Sequence, residues 1–171
     1  SEIDYASRLD PLSAQVHSTY GRVLYRARRF DDARARLERA LELEPRNPGI
    51  YARLANVHEQ AGRYGDALAL LNQIEGADSG VDVSGARARV LARAGRTKEA
   101  RQLLAHLPPQ SPSRAEVLAT LGDRDAAFAS LYRALDQRDS WLLFIKKEPV
   151  FDGMHHDPRW ADVLRRMNLG E

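Results

Sequence analysis

The sequence has no cysteine among its 171 residues, and this absence excludes disulfide frameworks and thiolate metal sites. It also has no apolar run near the roughly 20 residues that a membrane-spanning helix needs, so we expect no membrane insertion of this segment. The opening residues, Ser1-Glu2-Ile3-Asp4, are too polar to begin a signal peptide. We therefore predict a cytoplasmic location for this segment. The parent protein could still be anchored to a membrane by another part of its chain.

Aromatic residues are also few, and the net charge is small. Phe, Trp and Tyr make up only 7% of the chain, and its formal net charge is +2. A nearly balanced charge gives no general argument for nucleic-acid binding, so only a local concentration of basic residues could support it. The abundant alanine and leucine favour helices.

An alanine-leucine pair recurs along the chain at a nearly constant interval. In each pair the alanine lies four residues before the leucine. The pairs are Ala33 and Leu37, Ala67 and Leu71, Ala100 and Leu104, and Ala127 and Leu131. The alanines are 34, 33 and 27 residues apart. Intervals near 34 residues are typical of helical repeats that stack into a solenoid. Such a solenoid offers an extended concave surface, which indicates a binding function.

Each repeat is predicted to consist of two helices joined by a tight turn. In the first, a helix runs from Ala14 to about Ala27, Arg28-Arg29-Phe30 forms the turn, and a second helix runs from Asp31 to about Glu44 before Pro45. We predict repeats at about 14–47, 48–80 and 81–108, and a degenerate repeat at 109–138. Residues 1–13 match the end of a repeat, so we expect further repeats or domains before this segment.

Positions that match from one repeat to the next form columns when the repeats are aligned. These columns resemble the tetratricopeptide repeat. The match rests on one small residue in the first helix and on the alanine, leucine and proline positions of the second helix. In the first repeat these residues are Gly21, Ala33, Leu37, Ala40 and Pro45, and Tyr51 stands at the aromatic position of the second repeat. The resemblance implies an all-α fold, a right-handed superhelical solenoid of antiparallel helix hairpins.

Residues 139–171 break the period and are predicted to form a helical cap. Asp139-Ser140 can begin a short helix that carries Trp141, and Asp157-Pro158 can begin another that carries Trp160. A solenoid needs an atypical last unit to cover its exposed end. This tail is similar to the one that ends many bacterial multidomain repeat proteins, in which the array follows a kinase, cyclase or winged-helix regulatory domain.

No catalytic constellation stands out among the polar residues. We interpret His17 and His58 as packed or groove-lining residues, and His155-His156-Asp157 as a polar loop with a helix cap rather than a metal site. We therefore predict a non-catalytic protein without a cofactor or a metal.

The resemblance implies a ligand groove lined by the exposed faces of the first helices. Ser18 and Glu59 fall on these faces, and arginine recurs there in the first and third repeats. The candidate ligand-binding residues are Arg22, Tyr25, Arg26, Asn56, Gln60, Arg89 and Arg93. Guanidinium groups can bind carboxylates through two hydrogen bonds, and the family's peptide-carboxylate sites use basic and asparagine residues on this face. The alternative is that arginine is simply the usual polar residue of this chain, since 23 of its 26 basic residues are arginine.

Two functional hypotheses follow. The favoured one is a protein-interaction module of a larger bacterial signalling or regulatory protein, which binds an acidic or C-terminal peptide segment of a partner protein or of another domain of its own parent chain. The alternative is a nucleic-acid-binding helical repeat with an arginine-rich groove. Base recognition by such repeats needs stacking or base-edge groups in each unit, and only Tyr25 offers stacking, so nucleic acid is the less favoured partner.

Overall fold

The computed structural model describes residues 12–75 and 82–169, and every regular element in these two ranges is helical. The predicted all-α fold of antiparallel helix hairpins is therefore confirmed. The chain divides into two compact units, residues 1–83 and residues 84–171, called unit 1 and unit 2 below. Most of the predicted partial repeat at 1–13 lies outside the described residues.

Unit 1 contains two helix hairpins. Its helices are α1 (Ala14–Arg26), α2 (Phe30–Leu43), α3 (Pro48–Gln60) and α4 (Tyr64–Glu75). Helix α1 packs against α2, α3 packs against both α2 and α4, and α1 also contacts α3. The boundaries predicted for the first repeat differ from these by one residue, because Phe30 begins α2 instead of ending the turn.

Side-chain caps and left-handed turns explain where these helices begin and end. The Ser13 hydroxyl accepts a hydrogen bond from the Val16 amide at 3.3 Å, and the Asn47 side chain accepts one from the Gly49 amide at 3.0 Å. Such oxygens satisfy amides that have no partner within the helix. The turn after α3 uses Gly62 at φ +72°, a conformation that glycine adopts without strain.

Unit 2 contains two further hairpins and the C-terminal segment. Its α-helices are α5 (Ser84–Arg93), α6 (Thr97–His106), α7 (Pro112–Thr120), α8 (Arg124–Asp136) and α9 (Pro158–Arg166). Between α8 and α9 lie two 3₁₀ helices, Ser140–Lys147 and Pro149–Met154. The predicted caps are present, because the Asp139 and Asp157 carboxylates accept hydrogen bonds from the amides of Trp141 and Arg159.

The core confirms the predicted columns. All four column alanines are fully buried, and the four column leucines are at most 6% exposed. In unit 2 one buried cluster extends from Ala88 to Val163 and includes Phe128, Phe151 and Trp160. The second 3₁₀ helix contacts α7, and α9 contacts α8. The predicted boundary between array and cap at residue 138 stays a prediction, since the contacts place both in one compact unit.

Candidate functional site

The seven candidate ligand-binding residues fall on the first helices of both units. Arg22, Tyr25 and Arg26 are half-buried on α1, and Asn56 and Gln60 are half-buried on α3. The remaining two, Arg89 and Arg93, lie on α5 of unit 2. Unit 1 therefore holds five of the seven.

Two hydrogen bonds between side chains join α1 to α3. The Gln60 side-chain nitrogen donates to the Tyr25 hydroxyl at 3.4 Å, and the Arg53 guanidinium donates to the Ser18 hydroxyl at 2.9 Å. Each pair is 35 residues apart in sequence, about one repeat. These bonds bring the predicted residues Tyr25 and Gln60 together on one face of unit 1.

Three arginines concentrate positive charge on this face. Arg22 and Arg26 are four residues apart on α1, which places them on the same side of the helix. The pKa of Arg53 is lowered from its ordinary value, first because burial removes water from the guanidinium and then because Arg22 and Arg26 repel its charge. We call Arg22, Arg26 and Arg53 the arginine cluster.

Arg53 is a member of this cluster that the sequence reasoning missed. The candidate ligand-binding residues are predicted from chemistry that recurs from repeat to repeat. One repeat away from Arg53 the equivalent positions carry Thr19 and Ala86, so its column gave no signal. A three-residue step from Arg53 to Asn56 along one helix face was the sequence feature that could have identified it.

Two positions expected on the exposed face of unit 1 are buried instead. Ser18 is 2% exposed and Glu59 is fully buried. The Ser18 hydroxyl is covered because it accepts the hydrogen bond from Arg53. The prediction that these two side chains line an open groove is therefore wrong.

The expectation that Arg89 faces solvent is also wrong. Arg89 is only 6% exposed, and its guanidinium forms an ion pair and a hydrogen bond with the Glu116 carboxylate of α7. Burial of one charge is tolerated when an opposite charge pairs with it. Arg89 thus links α5 to α7, whereas Arg93 at the end of α5 is half-buried.

The histidine-rich loop before α9 is arranged around a helix cap. Asp157 accepts bonds from Arg159, and this contact lowers the pKa of Asp157 to about 2. The His155 ring lies 4.7 Å from the Trp160 ring, centroid to centroid. Over residues 12–75 and 82–169, no group of three or more histidine, aspartate or glutamate side chains is placed to hold a metal ion.

No helix among the described residues is long and apolar enough to cross a bilayer. This finding concerns only the part of the chain that the structure describes.

Comparison with known families identifies the repeats. Residues 24–89 match one tetratricopeptide repeat model and residues 83–106 match another. No curated protein matches the chain. Residues 24–106 are therefore tetratricopeptide repeats, a class of helical repeat that serves as a scaffold for protein–protein interaction.

Proposed function

We propose that this chain is a non-catalytic scaffold that binds an acidic or C-terminal peptide segment on the α1–α3 face of unit 1. The observation that carries the proposal is the arginine cluster: Arg53 of α3 bonds to Ser18 of α1 at 2.9 Å, and Arg22 and Arg26 follow Ser18 at four-residue spacing on the same side of α1. A surface that holds like charges together gains free energy when an anion binds and offsets their repulsion.

The chemistry of this face suits a carboxylate. A guanidinium can donate two parallel hydrogen bonds to one carboxylate, and such charge-assisted bonds are stronger than neutral ones. Tyr25, Asn56 and Gln60 add neutral polar groups beside the cluster, and the Tyr25–Gln60 bond holds two of them in place. A peptide backbone needs both donors and acceptors, which these side chains supply.

The contacts of Tyr25 argue against base recognition. Its ring packs edge-on against Phe30, with 5.7 Å between ring centroids, and its hydroxyl accepts from Gln60. The one aromatic group that the sequence offered for stacking is therefore engaged within unit 1. This favours a peptide over a nucleic acid.

The wider context is part of the same proposal. We further propose, from the resemblance predicted for residues 139–171, that the parent is a larger bacterial signalling or regulatory protein of the cytoplasm. Its partner would be another protein or a domain of the parent chain. Arg93 remains a predicted contributor in unit 2.

A peptide-binding assay tests the proposal. The probe is a short fluorescein-labelled peptide of aspartate and glutamate with a free C-terminal carboxylate, and the readout is fluorescence anisotropy with the full chain. We expect Arg22→Glu combined with Arg26→Glu to weaken binding roughly tenfold or more, and added salt to weaken binding to the parent chain.

The matched control is Arg46→Glu combined with Arg101→Glu, which makes the same charge change at two exposed arginines. Equal weakening by both double variants would refute a specific role for the α1–α3 face.

A further inference from the structure

A cavity lies in unit 1, on the side of α3 away from the arginine cluster. It has a volume of about 280 Å³, and its lining residues are Tyr51, His58, Asp66, Ala69, Leu70 and Gln73. Tyr51 and His58 are seven residues apart, about two turns of α3, so they lie on the same side of this helix. Gln60, which belongs to the α1–α3 face, is two and a half turns from Tyr51 and so lies on the opposite side.

One stripe of α4 forms the outer wall of this cavity. Asp66, Ala69, Leu70 and Gln73 follow the three- and four-residue spacing of a single helix face. Asp66, Ala69 and Gln73 are exposed, while Leu70 is half-buried. The cavity is therefore open to solvent, with an apolar strip beside polar ends.

The size of the cavity limits its occupant. A water molecule takes about 30 Å³ of liquid volume, so the cavity holds much more than one water. Pockets for whole small-molecule ligands begin at roughly 300 Å³. A volume at this lower limit suits a single long side chain of a partner.

The charge of Asp66 determines which kind of partner side chain fits the cavity. Asp66 lies in the first turn of α4 and its side chain is 63% exposed. Within the described residues, the one basic group that pairs with this carboxylate is His58, whose Nδ1 lies 3.5 Å from an Asp66 oxygen. On α2, Arg34 and Glu38 pair with each other at 3.1 Å and so contribute little net charge.

Burial disfavours the charged form of the His58 imidazole beside Asp66. Burial lowers the pKa of His58 below its ordinary value of 6.5, and Arg63 and Arg34 lower it further, while Asp66 and Glu38 oppose the shift. The lowered pKa favours the neutral imidazole, so His58 supplies little positive charge to the cavity.

We propose that this cavity binds an arginine side chain of a protein partner, with the aliphatic stem along Leu70 and Ala69 and the guanidinium at Asp66. Arginine suits the site better than lysine because its planar guanidinium can donate two bonds to one carboxylate. The site is separate from the α1–α3 face and does not depend on the proposed function of that face.

A titration followed by nuclear magnetic resonance tests this proposal. The probe is N-acetyl-arginine N-methylamide, added to the ¹⁵N-labelled full chain, and the neutral comparison is the same compound with citrulline in place of arginine. We expect saturable shifts of the amide signals of His58, Asp66 and Gln73 with arginine, and no saturable shifts with citrulline.

Two variants locate the binding group. Asp66→Asn should weaken arginine binding at least about tenfold, because it removes the charge and half of the bidentate acceptor. Gln73→Lys should weaken it similarly by placing a cation at the cavity. The matched control is Asp31→Asn, the same change at an exposed aspartate in the first turn of α2, and it should leave binding unchanged.

Several outcomes would overturn the proposal. These are equal shifts with citrulline, an unchanged affinity in Asp66→Asn, or an equal loss in Asp31→Asn. Self-association of the chain that Asp66→Asn abolishes would assign the cavity to an arginine of a second copy instead of a foreign partner. Arginine binding should persist in the Arg22→Glu and Arg26→Glu double variant, which separates this test from that of the α1–α3 face.

Discussion

At the scale of single residues, the repeat depends on positions where no larger side chain fits. Gly21 is buried on α1, and a Cβ atom built there would lie 2.6 Å from Leu37 Cγ and 3.2 Å from the Ala33 carbonyl oxygen. Leu37 and Ala33 are fully buried, so neither can move aside without disturbing the core. Glycine is therefore required here for close approach of α1 and α2.

This requirement gives a prediction in which two effects compete. Gly21→Ala raises helix propensity by about 1 kcal/mol but overpacks the contact with Leu37, at a cost of about 1–3 kcal/mol. We expect overpacking to prevail, since the clash is with a fully buried side chain, and the variant to unfold at a lower temperature in a circular dichroism melt.

Gly65→Ala is the matched control for Gly21→Ala. Gly65 is an exposed residue in the first turn of α4, and a Cβ atom there would meet nothing within 4 Å. This variant should gain about 0.4–1 kcal/mol, because alanine restricts the unfolded chain more than glycine does. A Gly21→Ala melt as high as that of Gly65→Ala would contradict the close approach of α1 to α2.

At the scale of helices, the Arg89–Glu116 pair links α5 to α7. Breaking a buried ion pair by removing one partner leaves an uncompensated charge and costs about 3–5 kcal/mol, whereas replacing both partners by apolar residues is often neutral. We therefore expect Arg89→Met to lose about 3 kcal/mol of unfolding free energy in a urea titration. The double variant Arg89→Met, Glu116→Leu should recover most of that loss. A double variant as unstable as the single one would show that the ion pair itself stabilises unit 2.

The same pair shows what a sequence pattern can and cannot predict. The alanine and leucine columns predict helices within a residue or so, because burial of small and branched side chains at a fixed period is a local property of each hairpin. Arg89 occupies an exposed column by that period. Its burial depends on Glu116, which is 27 residues away in the degenerate repeat, where the period shortens and no column could indicate a partner.

The candidate site also contains residues that a sequence pattern can predict and residues that it cannot. Arg22 and Arg26 of α1, and Asn56 and Gln60 of α3, could be predicted as candidates because similar chemistry recurs at matching positions from repeat to repeat. Arg53 and the cavity at Asp66 could not, because each exists in one hairpin only. A ligand site built from residues that do not recur is invisible to a search for repeats.

At the scale of the whole molecule, the C-terminal segment determines how much apolar surface unit 2 exposes. Leu142, Ile145, Phe151, Trp160 and Val163 belong to the same buried cluster as the core of α7 and α8. An ion pair and a cation–π contact also tie α9 to α8, since the Arg159 guanidinium contacts Asp125 at 2.8 Å and lies 4.3 Å from the centre of the Phe128 ring. Removing this segment would leave the buried faces of α7 and α8 without their covering.

We therefore predict that a chain truncated after residue 138 associates in solution. Deleting residues 139–171 should expose Leu118, Phe128 and Leu131, which are at most 4% exposed in the full chain, and contiguous apolar patches of this kind promote association. The measurement is size-exclusion chromatography with light scattering, and the control is a chain that ends at Asn168, which retains α9. A soluble monomer of residues 1–138 that melts cooperatively would refute the covering role of the segment, because its apolar contacts would then be dispensable for a folded and monomeric chain.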